Sequence, residues 1–133
     1  MKSVAIGLGC RKNASAHSVA ALVREALARL PREPARVRLY SSVRKSQERG
    51  LREAAAALGY DIAFLEDADL LAVADRVATR SAKSREATGH DSVAEAAALA
   101  GAGPKAMIVV PRVTSNDAAC AIAAEISDAE DKA

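Results

Sequence analysis

Ser3-Val4-Ala5-Ile6-Gly7-Leu8-Gly9-Cys10-Arg11-Lys12 begins as an apolar run and finishes as a basic, glycine-marked turn. A short apolar run closed by glycines predicts a buried strand leading into a tight turn. A helical pattern follows it. Val19, Leu22, Val23, Ala26, Leu27 and Leu30 recur at three- and four-residue spacing, with Ser15 placed to cap the helix and Pro31 to stop it. Strand, turn and helix in that order open an α/β fold.

The same alternation continues along the chain. Val37-Arg38-Leu39-Tyr40 reads as a second strand, the polar segment 41–46 as a turn, and Leu51, Ala55 and Leu58 as one face of a second helix ended by Gly59. Ile62 to Leu65 gives a third strand and Asp67 to Val73 a short helix. Periodicity then lapses from Asp75 to His90, a stretch carrying Arg76, Arg80, Lys83 and Arg85, which predicts a long surface loop. Ser92-Val93-Ala94-Glu95 has the spacing of a capping box at the head of a helix running to Gly101. Met107 to Val110 is the next strand, ended by Pro111. Residues 117–126 satisfy helix and edge strand alike. The reading is a single three-layer α/β/α domain over residues 1–126, with a mixed, largely parallel sheet of about five strands and a solvated tail at 127–133.

Composition narrows the function classes. The chain has 133 residues, enough for one core, and 33 of them are alanines, so helices and sheet should approach each other closely. Aromatic residues make up 2 % and the net charge is +2, which argues against a nucleic-acid platform built on stacking and a broad basic face. Cys10 and Cys120 form no Cys-x-x-Cys pair, and a reducing cytoplasm fits them. No apolar run approaches a membrane span or a signal peptide, so the expectation is a cytoplasmic protein with no membrane partner. His17 and His90 stand apart from any ligand cluster, and no metal is expected.

Candidate functional residues gather after strands. Arg11 and Lys12 follow the first strand, Arg44 and Lys45 the second, and Arg112 the strand ending at Val110. In open α/β sheets ligands collect at the carboxyl ends of strands, so these cations should share one rim and face an anionic ligand. Each could equally be an ordinary solvated charge. The turn at Gly9 begins like a dinucleotide fingerprint, but Lys12 stands at the third glycine's place and no acid closes the second strand, so no nicotinamide cofactor is expected. Its glycines would let backbone approach a ligand, or simply make a tight turn. Cys10, beside two cations and a helix start, has the setting of a lowered thiol pKa, or is a small residue filling a crowded turn. Lys45 and Glu48 share a face at the start of the second helix, as cation and general base or as a capping charge pair.

Together these motifs resemble one family, the cobalamin-biosynthesis protein CobE and the C-terminal domain of CbiG. The resemblance is carried by Gly7-Leu8-Gly9-Cys10-Arg11-Lys12, by Ser42-Val43 with Lys45, Glu48 and Gly50-Leu51, by Ser92-Val93-Ala94-Glu95-Ala96-Ala97-Ala98-Leu99, and by Val109-Val110-Pro111-Arg112. It implies a three-layer domain with a mixed sheet whose C-terminal segment is a strand. It also implies a role in building the corrin ring, where CbiG-type proteins open a ring lactone and release acetaldehyde. A chain of this length is similar to the stand-alone form of the aerobic pathway.

The implied partner is a corrin or precorrin intermediate, a tetrapyrrole-derived macrocycle bearing many carboxylates, along with other enzymes of the pathway. Gly9, Arg11, Lys12, Ser42, Arg44, Ser92, Glu95 and Arg112 are then the ligand-binding candidates, with segment 76–85 closing over the ring. Lys45, Glu48 and Cys10 are the catalytic candidates of a hydrolase-like or assisting activity, and no cofactor is called for. Asn13 stands where the family often has glycine, as a residue tolerant of left-handed backbone. Arg112 replaces a lysine, and Ala119 and Ala124 replace threonine and arginine. A non-catalytic corrinoid carrier and a phosphate- or nucleotide-binding domain using the Gly9 turn are the alternatives.

Overall fold

The computed structural model describes residues 3–77 and 93–125. Strand β1 (Ser3–Cys10) leads to helix α1 (Ala16–Ala28), capped as expected by the Ser15 hydroxyl, which accepts from the Ser18 amide at 3.0 Å. Strand β2 (Arg36–Ser42) runs two residues past its predicted end, taking Ser41 and Ser42 out of the turn. A 3-10 turn at Val43–Lys45 precedes α2 (Arg49–Leu58), which ends on Gly59 in the left-handed region, φ 79°. There follow β3 (Asp61–Leu65), α3 (Asp67–Leu71), a 3-10 turn at Ala74–Arg76, α4 (Val93–Ala102), β4 (Met107–Thr114) and β5 (Ala118–Ala124).

The sheet order is β3-β2-β1-β5-β4. β1 pairs in parallel with β2, and β2 with β3, while β5 runs antiparallel to both β1 and β4. Four strands therefore point one way and β5 alone runs back. Within the alanine-rich segment at 117–126, Ala118–Ala124 form this reversed strand, because they lie between β1 and β4 and complete the ladder of both. Pro111 does not end β4. It sits on the outermost strand, where a missing amide breaks no ladder, and the strand continues through a bulged stretch to Thr114.

Alternate residues of β1 face two different layers. Val4, Ile6 and Leu8 pack with Val19, Leu22 and Val23 of α1 and Leu51 and Ala54 of α2. Behind the sheet, Ala96, Ala97, Ala98 and Leu99 of α4 pack with Ala123, Leu70 and Val73. The approach on this side is close enough to require glycine: a Cβ at Gly7 would lie 1.8 Å from the Ala94 carbonyl oxygen. Gly7 thus serves helix packing, a use distinct from either turn or ligand.

Segment 78–92, which contains Ser92, His90 and most of the expected basic loop, lies outside the described residues, as do residues 126–133. Arg76 is described, and its guanidinium donates to the Ala106 carbonyl just before β4, so this cation is engaged at the opposite end of the sheet from the basic rim. Among the described residues no helix is long and apolar enough to cross a membrane.

Candidate functional site

The common direction of β1, β2, β3 and β4 brings Cys10, Ser42, Leu65 and Thr114 to one end of the sheet. α1, α2 and α4 start at this end, so their first-turn amides add positive potential there. The expected rim therefore forms, and the sheet divides it in two.

On the α1/α2 side stand Cys10, Lys45 and Glu48. Lys45 closes the 3-10 turn and Glu48 is the N-cap residue of α2, so the pair precedes the helix and does not share a face of it as the spacing suggested. Glu48 makes no side-chain cap; its Oε1 accepts the Asn13 amide at 2.7 Å. Asn13 has φ 64°, a left-handed backbone that asparagine tolerates better than most side chains. Gly50 permits this docking, since a Cβ there would lie 2.1 Å from the Ala14 carbonyl oxygen.

The Cys10 thiol is pushed up to about 11 by burial, partly offset by Lys45, while Glu48 and Asp117 reinforce the rise. The setting therefore acts opposite to the lowered pKa anticipated from the flanking cations, and the thiol is protonated at neutral pH.

Asp117 is a residue the sequence did not mark. Its carboxylate accepts from the Ser18 hydroxyl at 2.5 Å, the Ser115 hydroxyl at 3.2 Å and the Ser15 amide at 3.3 Å. Its carbonyl accepts the Arg11 amide at 2.8 Å. Asp117 thereby ties the β4–β5 connection to the first turn and to the start of α1. The Ser18 bond leads the causes that hold its carboxyl below the usual range.

On the α4 side stand Gly9, Ser42, Glu95 and Arg112. At Gly9 a Cβ would touch Val93 and Ala94 only at 3.9 and 4.0 Å, so neither packing nor a positive φ requires glycine there. Ser42 is buried and its hydroxyl oxygen accepts the Arg44 amide at 3.1 Å, giving it a capping task. Glu95 is fully buried, and its Oε2 accepts the Arg112 amide at 2.9 Å. The serine half of its expected capping box lies outside the described residues.

Arg44 is already paired. Its Nε donates to Asp67 Oδ1 at 3.0 Å and its Nη2 to Asp67 Oδ2 at 2.7 Å, so one edge of the guanidinium is occupied. Arg11, Lys12, Lys45 and Arg112 have no carboxylate partner within ion-pair distance among the described residues. Among the described residues, Glu48, Glu95, Asp117 and Asp67 engage backbone amides, serines and Arg44, and none of them pairs with these four cations.

A cleft of about 830 Å³ opens at the other end of the sheet, against Arg36, Arg38, Tyr40, Tyr60, Asp61 and Glu125. The C-terminal ends of α2 and α4 adjoin it, adding negative potential to its two acids. Its arginines thus face local negative charge, and the cleft is a poorer match for a polyanion than the rim. Arg38 lies 5.6 Å from the centre of the Tyr40 ring.

Residues 4–123 match the family described as Cobalamin synthesis G C-terminus. The chain is 37 % identical over 119 residues to Protein CobE from Sinorhizobium sp., covering 89 % of this chain and 77 % of that protein. The crystal structure of CobE, a protein from the cobalamin (vitamin B12) biosynthetic pathway, superposes with a TM-score of 0.82 at 35 % identity over 90 % of this chain and 88 % of that one. The cobalamin biosynthesis protein chiG from Agrobacterium tumefaciens gives a TM-score of 0.70 at 35 % identity, over 93 % and 99 % of the two chains.

Proposed function

The chain belongs to the CbiG C-terminal family of cobalamin biosynthesis proteins, and from that premise we propose that it binds a corrin-ring intermediate of the aerobic route by the ring's carboxylates. The observation that carries the reading is the set of rim cations, Arg11, Lys12, Lys45 and Arg112, that no described carboxylate pairs. Guanidinium and ammonium groups above three helix N-termini suit a ligand bearing several carboxylates. A single phosphate would need fewer of them. Arg44 would join only by sharing its open edge, since Asp67 holds the other.

Holding the ring is favoured over turning it over. Glu48, the best candidate for a general base, spends Oε1 on the Asn13 amide, and Cys10 is a protonated thiol. Lys45 beside them supplies charge to a bound carboxylate or to an oxyanion.

Mixing the purified protein with corrin-ring intermediates, removing free ligand and reading the visible spectrum tests the proposal. Pigment retained by the protein, and released by Arg11→Ala with Arg112→Ala or by salt, is the expected result. A colourless protein across the whole set rejects it. Where a substrate is converted, Glu48→Ala and Lys45→Ala separate the two roles: turnover lost with pigment retained assigns catalysis to them.

A further inference from the structure

Glu95, a ligand-binding candidate of the sequence, is fully buried, and the set of rim cations proposed to bind the ring gives it no direct task. It belongs to the first turn of α4, yet its Oε2 reaches the backbone of another element, the amide of Arg112 in β4. That amide lies in the irregular part of the strand. Val110 pairs with Ile122 and Val113 with Cys120, so three steps along β4 match two along β5. One residue of β4 is therefore extra to the ladder in this interval, beyond the one already extra between Ile108 and Val110, and Pro111 has no amide to offer it.

A bulge changes the direction in which a side chain leaves the strand. Arg112 leaves β4 from within this bulge, and the bulge is fastened to α4 by Glu95. A guanidinium grips a carboxylate with two bonds only when its plane is correctly set, and the backbone beneath it sets that plane.

We infer that Glu95 is a positioning residue: by holding the Arg112 amide it fixes the bulge and so aims the Arg112 guanidinium at a carboxylate arm of the bound ring. The inference rests on the reading of Arg112 as a carboxylate anchor. It also gives a task to an acid buried beneath a rim suited to anions, since its Oε2 is turned to the backbone.

The test is a double-mutant cycle with cobyrinic acid, a corrin that carries free carboxylates, as the probe. Affinity and its salt dependence are measured for wild type, Arg112→Ala, Glu95→Ala, the double variant and Glu95→Gln, with thermal midpoints alongside. Arg112→Ala should weaken binding roughly tenfold, the scale of one charged hydrogen-bonded contact. Glu95→Ala should weaken it similarly and remove the same share of salt dependence. The double variant should then bind no worse than either single one. Glu95→Gln, which keeps an acceptor oxygen, should retain most of the affinity.

Losses that multiply in the double variant show that Glu95 acts on stability alone and overturn the inference while leaving Arg112 as an anchor. An Arg112→Ala protein that binds like wild type removes the anchor and the inference together, as does a wild type that binds no probe. If Glu95→Ala does not fold, Glu95→Asp, one methylene short of the amide, takes its place in the same cycle under the same criteria.

Discussion

Asn13 has a left-handed backbone, φ 64°, and donates its amide to Glu48 Oε1 at 2.7 Å, so the tip of the first turn is fastened to the start of α2. Asparagine tolerates this conformation better than most side chains and glycine better still. Asn13→Gly should therefore leave the urea midpoint nearly unchanged, whereas Asn13→Ala should lose about 1 kcal/mol. Equal midpoints for the two variants would contradict the account. Glu48→Gln, which keeps an acceptor, should be milder than Glu48→Ala.

Gly7 and Gly9 look alike in sequence and differ in what surrounds them. Gly7→Ala would drive a methyl into the Ala94 carbonyl and should destabilise by about 1–3 kcal/mol through overpacking. Gly9→Ala meets only ordinary contacts and should melt close to wild type. Thermal unfolding of the two single variants checks the contrast, and a Gly9→Ala protein as unstable as Gly7→Ala would contradict it.

The lowered carboxyl of Asp117 makes a prediction about acid. A group whose pKa is depressed on folding contributes stability above its unfolded value and loses it as pH falls through the folded one. Wild type should therefore lose stability as pH drops below about 3.8, the ordinary value for this carboxyl. Asp117→Asn should be weaker at neutral pH and show less of that acid dependence. Denaturation midpoints between neutral pH and pH 2 measure it, and parallel curves for the two proteins would exclude Asp117 as a contributor.

The two thiols act at the other end of the pH scale. Burial holds Cys10 up to about 11 and Cys120 up to about 12, against 9.0 for an ordinary thiol. The unfolded chain ionises first as pH rises through 9.0, so stability is full below that value and declines toward the folded values. Alkylation of the native protein at neutral pH should be slow at both positions. Rapid single-site labelling of Cys10 would restore it as a candidate nucleophile.

Asp67 and Arg44 offer a test of how firmly the rim commits its charges. Asp67→Ala frees the second edge of the guanidinium. If Arg44 reaches the ligand, this variant should bind corrin carboxylates more tightly and with a steeper salt dependence than wild type. Unchanged binding would place Arg44 outside the ligand's reach.

The helices α1 and α2 were legible because large apolar residues mark one face at helical spacing and Ser15 and Gly59 mark their ends. For β5 the residues alone left helix and strand open and only the family resemblance implied a strand, since Ala118 to Ala124 carry little side-chain signal beyond Cys120 and Ile122, and what makes them a strand is the pair of neighbours they lie between. Pro111 misled for a related reason: it stops an interior strand and is harmless on the edge β4 occupies. The basic turns were readable as members of one rim, but their engagement was not. Asp117 reaching Ser18 and Glu95 reaching the Arg112 amide join residues 99 and 17 positions apart, and no local pattern announces them.

β5 lies between β1 and β4 although it follows both of them in the chain. During synthesis β1, β2 and β3 can align early, but β1 then presents a bare edge until β5 emerges to cover it. A chain that has formed β1 to β3 without β5 thus carries a sticky edge, and truncations that remove β5 should yield aggregates in place of a smaller working protein.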